Sequence, residues 1–226
     1  MKAMILAAGR GERMRPLTDA TPKPLLRVGG KPLIVWHIEK LGRAGFAEIV
    51  INTSWLAPQI HAALGQGEAW NVKLTYSDEQ PAPYETGGGM ATALQYLGQE
   101  PFLAVSADIW TDFDYARVRP LPENSLAHLW LVPNPDFHPQ GDFSLAGEGK
   151  IGFDLPRLTF ANLGWYHPAL FQGVAPRQWV RLLDLLKPAI GAGRVTGETL
   201  SATWHNLGTP SQLAALDHLL TERHEA

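Results

Sequence analysis

The sequence predicts an α/β domain of three layers, with a mixed, mostly parallel central sheet between helices. Three observations predict it. Short aliphatic and β-branched runs alternate with amphipathic helical stretches through the first half. Loops bearing glycine and charge follow the carboxyl ends of those runs, which is where open parallel sheets bind ligands. Hydrophobic residues make up 45% of the 226 and charged residues 18%, enough for one substantial core and not the balance of a disordered chain.

Taken in order, Lys2–Leu6 is a short apolar run and reads as a buried strand. Residues 7–24 hold too much glycine and proline for regular structure. Pro32 suits the first turn of a helix whose apolar positions include Leu33, Trp36, Ile38 and Leu41, ending near Gly45. Glu48–Asn52 reads as a second strand, Pro58–Leu64 as a short helix closed by Gly65, and Lys73–Ser77 as a third strand. Asp78–Gly89 is expected to be a loop, with a helix from Met90 to Leu97. Phe102–Ser106 is a fourth strand that runs into Ala107-Asp108.

The second half has a different texture. Leu129–Val132, Phe143–Leu145, Lys150–Phe153 and Thr159–Tyr166 read as short strands between turns. Trp179–Ile190 has helical amphipathicity, stopped by Gly191 and Gly193. Val195–Thr203 is expected to be a hairpin around Thr196-Gly197, and a C-terminal helix is expected from Ser211 to about Arg223. No repeat or linker divides the chain. A single domain over 1–226 is therefore expected, its second half forming a wall over the rim.

Composition excludes several functions. A net charge of −3 argues against bulk binding to nucleic acid, which needs a basic face. The absence of cysteine removes disulfides, thiolate zinc sites and thiol nucleophiles together. The eight histidines show no metal-ligand spacing, and most of the eight tryptophans are expected in the core, with Trp165 and Trp204 set apart by the motifs around them. No run approaches the roughly 20 apolar residues that span a bilayer, and the first apolar stretch is too short for a signal peptide. A cytoplasmic monomer, with neither nucleic acid nor membrane as partner, is expected.

The stretch with most chemistry is the first loop. Gly9-x-Gly11 after a strand invites a dinucleotide fingerprint, but Met14 stands where its third glycine belongs and Pro16 interrupts the helix. No Gly-Lys-Ser/Thr follows either, so a Walker loop is excluded. What remains is a glycine loop carrying Arg10, Arg13 and Arg15, with Lys23 close behind. Arginine offers phosphate a planar fork and lysine a mobile point charge.

These residues resemble a known family. Leu6-Ala7-Ala8-Gly9-x-Gly11-x-Arg13-x-x-Pro16-x-Thr18, then Pro22-Lys23-Pro24-Leu25, is similar to the signature of sugar-1-phosphate nucleotidyltransferases, with Glu12 where threonine is usual. Ser106-Ala107-Asp108 and Trp204-His205-Asn206-x-Gly208-Thr209-Pro210 resemble its two metal-binding segments, the second with Asn206 in place of aspartate. Glu79 through Gly89 resembles its base and sugar loop, and Ala161-Asn162-Leu163-Gly164-Trp165-Tyr166 its sugar-pocket strand. Glu-Lys-Pro, common before that strand, is missing. Asn52-Thr53-Ser54-Trp55, Tyr84-Glu85-Thr86-Gly87-Gly88 and Leu158 to Asn162 are most similar to N-acetylmuramate-1-phosphate uridylyltransferases of cell-wall recycling.

The resemblance implies a Rossmann-like, GT-A-like nucleotidyltransferase domain, with a nucleotide-binding half over 1–115 and a sugar-binding half with the C-terminal helix over 116–226. It implies catalysis by Arg13 and Lys23, assisted by Arg15, and a Mg²⁺ cofactor on Asp108 and Asn206. Ala7, Ala8, Gly9, Gly11, Gln80 and Gly87 would contact the nucleoside triphosphate, most simply UTP. Glu85, Thr86, Asn162 and Gly164 would contact the sugar 1-phosphate. Mannose-1-phosphate guanylyltransferases share many of these features. A glycosyltransferase would want Asp-x-Asp, which Asp108-Ile-Trp110 breaks and Asp112-Phe-Asp114 offers only weakly. A non-catalytic nucleotide-sugar sensor would be marked by Asn206 and the missing Glu-Lys-Pro.

Overall fold

The computed structural model describes residues 1–225, with side-chain surroundings through Glu222. The first half contains β1 (Lys2–Leu6), α1 (Leu17–Ala20), β2 (Arg27–Val28), β3 (Lys31–Pro32), α2 (Leu33–Arg43), β4 (Glu48–Thr53) and α3 (Ala57–Leu64). It continues with β5 (Lys73–Asp78), α4 (Glu85–Leu97), β6 (Phe102–Ser106) and β7 (Ile109–Thr111). The second half contains β8 (Ala127–Val132), β9 (Ser144–Ala146), β10 (Lys150–Gly152), β11 (Thr159–Tyr166), α5 (Leu182–Gly191), β12 (Val195–Thr199), β13 (Trp204–Asn206) and α6 (Pro210–Glu225).

Among the described residues, nine strands form one sheet in the order β5-β4-β1-β6-β11-β8-β12-β10-β9. The ladders β5–β4, β4–β1, β1–β6 and β8–β12 are parallel, and β11 and β10 are the reversed strands. The sheet is mixed and mostly parallel, as expected, and it runs without a break through both halves of the chain.

Strand alternation makes the three layers. In β1, Ala3 and Ile5 face a core shared with Ile34, Ile38 and Leu41 of α2 and Ile60 of α3. Met4 faces the opposite core, filled by Met90, Ala93 and Leu97 of α4 and by Leu182, Leu186 and Ile190 of α5. Each fully buried aliphatic side chain contributes about 1.5–3 kcal/mol relative to exposure. A third cluster packs Leu216 and Leu220 of α6 against Met14, Val28, Leu33 and Trp110. No described helix is long and apolar enough to cross a membrane.

Several elements differ from the sequence expectation, each for a packing reason. Residues 7–24 are not wholly irregular, because α1 and two short 3₁₀ turns, Glu12–Met14 and Lys23–Leu25, form within them. Helix α4 starts at Glu85 and takes in Gly87-Gly88-Gly89, which are buried helical residues and not a loop. A Cβ on Gly87 would lie 2.9 Å from the Val180 carbonyl oxygen, and one on Gly88 only 2.0 Å from that of Gln178. Helix α5 begins at Leu182 and not at Trp179, since Arg181 is extended and the preceding Val180 bonds to Tyr84 and Gly88. Residues 195–203 make no hairpin. Gly197 sits within β12, where a Cβ would lie 2.6 Å from the Leu129 carbonyl oxygen.

His37 on α2 is buried between two partners. The Ile109 carbonyl, 2.8 Å from Nε2, accepts only, so Nε2 carries the proton and Nδ1 accepts from the Tyr115 hydroxyl at 2.9 Å. Burial pushes the imidazole down to about 4 against the partial opposition of its bond to Ile109. Between that value and the unfolded 6.5, the unfolded chain binds more protons. Stability therefore falls as pH drops through this window, by roughly 3 kcal/mol at most from this group. His37→Gln keeps a donor for Ile109 but cannot take a proton. Urea unfolding from pH 7 to 4.5 is expected to show a steep loss in wild type and a flatter one in His37→Gln.

Candidate active site

Strands β1, β4, β5 and β6 are mutually parallel and end on one rim, where they place Ala7, Asn52, Glu79 and Asp108 side by side. With the first loop, the start of α4 and the start of β11, they enclose a cavity of about 430 Å³. Gly9 has nothing within 4 Å of a Cβ position and leaves the floor open.

The loop is held from below. Met14 is fully buried against α6, which pins the turn Glu12–Met14. Gly11 has φ 68°, the left-handed region that glycine adopts without strain. A Cβ there would lie 3.1 Å from Lys23 Cβ and Thr18 Cγ2, so the glycine also lets Lys23 pass close behind the loop. The Thr18 hydroxyl donates to the Gly11 carbonyl at 2.9 Å and closes the turn.

Lys23 reaches Asp108 along the cavity wall. Its Nζ donates to Oδ2 at 2.7 Å, while the Ser106 hydroxyl donates to Oδ1 at 2.7 Å. Burial pushes the Asp108 carboxyl upward, but the Lys23 charge, the bonds from Lys23 and Ser106, and the Arg13 guanidinium outweigh it. The carboxyl stays below its ordinary value and is ionised at neutral pH.

Behind the loop lies a buried polar chain. Ala7 N–H donates to Asn52 Oδ1 at 2.8 Å, and Asn52 Nδ2 donates to Glu79 Oε1 at 2.7 Å. Tyr84 N–H donates to Glu79 Oε2 at 2.6 Å. Glu79 is fully buried, and burial raises its pKa although both bonds oppose the shift. Gly89 makes room for it, since a Cβ would stand 2.5 Å from Glu79 Oε1. The chain couples the first loop to the entry of α4.

The second half closes the far wall. The β11–β8 register slips between Phe160 and Gly164, and Asn162 there adopts φ 55°. This bulge presents Phe160 and Asn162 to the cavity. Asp142 holds it by accepting the Phe160 N–H at 2.8 Å, and Trp204 by donating to the Ala161 carbonyl at 2.9 Å. Helix α6 begins with a reciprocal cap. Gln212 accepts from Gly208 N–H and Thr209 N–H, and the Thr209 hydroxyl accepts from Gln212 N–H. Pro210 fills the first helical position. The cap fixes Gly208, whose missing Cβ leaves room for Arg13, 3.3 Å away at Nη2. An adjoining groove of about 760 Å³ shares Arg13, Glu85, Thr86, Phe160, Asn162 and Leu182 with the cavity.

A family model described as nucleotidyl transferase matches residues 2–126, which include the four parallel strands β1, β4, β5 and β6 of the rim. The chain belongs to the nucleotidyl transferase family. It is 48% identical over 220 residues to the N-acetylmuramate alpha-1-phosphate uridylyltransferase of Neisseria meningitidis serogroup B, covering 94% of this chain and 95% of that one. It is 32% identical over 235 residues to the enzyme of the same name from Caulobacter vibrioides, with 97% of each covered. The fold matches the crystal structure of a putative glucose-1-phosphate thymidylyltransferase from Bacillus anthracis with a TM-score of 0.83, at 22% identity over 98% of this chain and 96% of that one.

In this nucleotidyl transferase the structure gathers Ala7, Ala8, Gly9, Gly11, Arg13, Lys23, Glu85, Thr86, Asp108 and Asn162 around one cavity. It leaves others out. Arg15 is exposed and paired to Asp19 at 2.7 Å. Gln80 is exposed and meets the Tyr84 hydroxyl through its backbone. Gly87 packs on the Val180–Leu182 backbone, and Gly164 lies under the Tyr166 ring, so that Tyr166 lines the wall instead. Asn52, Glu79, Ser106 and Phe160 line the cavity without standing among the residues expected there. The signal for Asn52 was a polar residue near the end of the apolar strand β4 at the rim.

Asn206 lines the adjoining groove and not the cavity wall that carries Asp108, although Leu207 N–H bonds to the Asp108 carbonyl at 2.9 Å. Among the described residues no group of three or more His, Cys, Asp or Glu could hold a metal ion. The donors on offer are one ionised carboxylate and one neutral amide oxygen. That set fits a hard divalent cation that keeps most of its ligands as water and substrate phosphate, and does not fit a closed protein cage.

Asn52→Ala would remove the partner of Ala7 N–H and of one oxygen of the buried Glu79. It is expected to cost about 1–3 kcal/mol in urea unfolding. A loss below about 0.5 kcal/mol would mean that the polar chain does not hold the loop.

Proposed function

We propose that this chain joins UTP to N-acetylmuramic acid 1-phosphate, giving the nucleotide sugar and pyrophosphate. The observation that carries the reading is the meeting of a glycine loop, Arg13, Lys23 and an ionised Asp108 in one cavity. The choice of substrates rests on the names of the Neisseria and Caulobacter relatives. Such a reaction returns a cell-wall sugar to nucleotide form, which fits peptidoglycan recycling in the cytoplasm. A monomer is the simplest assembly for this reading.

An oxygen of the sugar phosphate forms a bond to the α-phosphorus of UTP as the bond from that phosphorus to the bridging oxygen breaks. The bonding electrons leave with pyrophosphate. The attacking phosphate is already ionised at neutral pH, so no general base is needed, and the protein's work is placement and charge compensation. Ala7, Ala8 and Gly9 let the nucleotide approach the backbone. Arg13, set by Gly208, offers its fork to the leaving pyrophosphate. Lys23 moves from Asp108 to the α-phosphate and holds it in line. Asp108, with the Asn206 oxygen from the adjoining groove, would hold a divalent cation, most simply Mg²⁺, which when bound neutralises charge on the reacting phosphates. Glu85, Thr86 and Asn162 face the sugar.

Pyrophosphate release tests the reading. It is expected only when a triphosphate and a sugar 1-phosphate are present together, fastest with UTP and N-acetylmuramic acid 1-phosphate. Arg13→Ala is expected to slow it by at least about 100-fold. Release from triphosphate alone, faster turnover of GTP with mannose 1-phosphate, or near-normal turnover in Arg13→Ala would contradict it.

A further inference from the structure

We infer that the groove beside the cavity selects sugar 1-phosphates that carry a carboxylate, with Arg181 and Lys187 as its receptors. This rests on the proposed reaction and adds the feature by which the site recognises an acidic sugar.

The groove shares the wall of Glu85, Thr86 and Asn162 with the cavity, so a sugar whose phosphate attacks the α-phosphate in the cavity extends into it. Its floor is apolar, built from Phe143, Phe153, Phe160, Leu182 and Leu186. At its mouth Phe137 and Leu183 remain 53% and 39% exposed, large apolar side chains with a face turned to solvent. Two of the charged groups nearby are already engaged. Arg157 directs Nε and Nη2 to the Phe153 carbonyl. Asp142 accepts from Phe160 N–H and faces His138 at 3.1 Å.

Arg181 and Lys187 are different. Both line the groove, both are exposed, and neither forms an ion pair among the described residues. The Arg181 guanidinium lies over the Trp179 ring at 5.4 Å, an arrangement that steadies it and leaves its edge N–H groups available. Its backbone is set by the bonds of Val180 to Tyr84 and Gly88, next to Glu85 and Thr86 at the shared wall. Lys187 follows Leu183 by one helical turn on α5, and both line the groove.

This is an apolar floor with two cations beside it, unpaired among the described residues, while the Asp142 carboxylate is turned to Phe160 N–H and His138 and Glu85 stands on the wall shared with the cavity. N-acetylmuramic acid differs from N-acetylglucosamine by one lactyl ether, a methyl group and a carboxylate. The floor suits the methyl and the two cations suit the carboxylate. Arginine takes a carboxylate through two parallel N–H bonds, which lysine cannot reproduce.

The test compares N-acetylmuramic acid 1-phosphate with N-acetylglucosamine 1-phosphate, both with UTP, by kcat/KM for pyrophosphate release. Wild type is expected to prefer the acid. The ratio should fall by at least about tenfold in Arg181→Gln, and further in Arg181→Gln with Lys187→Gln. Arg181→Lys should restore part of it. Wild type that releases no pyrophosphate from any pair contradicts the proposed reaction itself. Wild type that uses both sugars equally, or variants that keep the wild-type ratio, overturn the carboxylate assignment and leave the reaction standing.

Discussion

The contact between Lys23 and Asp108 is the constraint on which the rest of the site depends. It ties the loop after β1 to the end of β6 at 2.7 Å. The lysine is nine-tenths buried, and an ammonium so placed without a partner would cost several kcal/mol. Asp108 supplies that partner, and Ser106 and Arg13 help to keep it ionised. The features of the loop follow from this contact. Gly11 makes room for Lys23, Thr18 closes the turn, and Met14 anchors it to the third core. The pair is thus a store of opposite charges at the place where phosphates must enter.

The fold explains why those charges meet. A parallel sheet brings successive strand ends to one rim, so residues far apart in sequence become neighbours. The reversed strand β11 then enters between β6 and β8 and carries its own beginning to the same rim. The bulge at Asn162 and the cap at Gly208 adjust this second wall. One half of the chain therefore supplies the cradle and its cations, and the other supplies the facing wall of the cavity.

Much of this was legible in the sequence. The strands of the rim show as short apolar runs, and the loop signature singles out Arg13 and Lys23. Glycines were the weak point. Gly87 to Gly89 and Gly197 read as loop and turn, but they are sites of close packing inside a helix and a strand. Composition cannot separate a glycine needed for φ from one needed for space. Arg15 shows a related limit: charge is visible in a sequence, and its partner four residues on decides where it points. Glu79 was missed because its importance lies in being buried beside Asn52, a long-range fact. The groove residues Arg181 and Lys187 carry no local signature at all.

If the contact organises the site, Lys23 and Asp108 act as one unit in nucleotidyl transfer. A double-mutant cycle of Lys23→Met and Asp108→Asn, read as kcat/KM for pyrophosphate release, tests this most directly. Strong non-additivity is expected, with the double variant no slower than the worse single variant. Losses that simply multiply would contradict it.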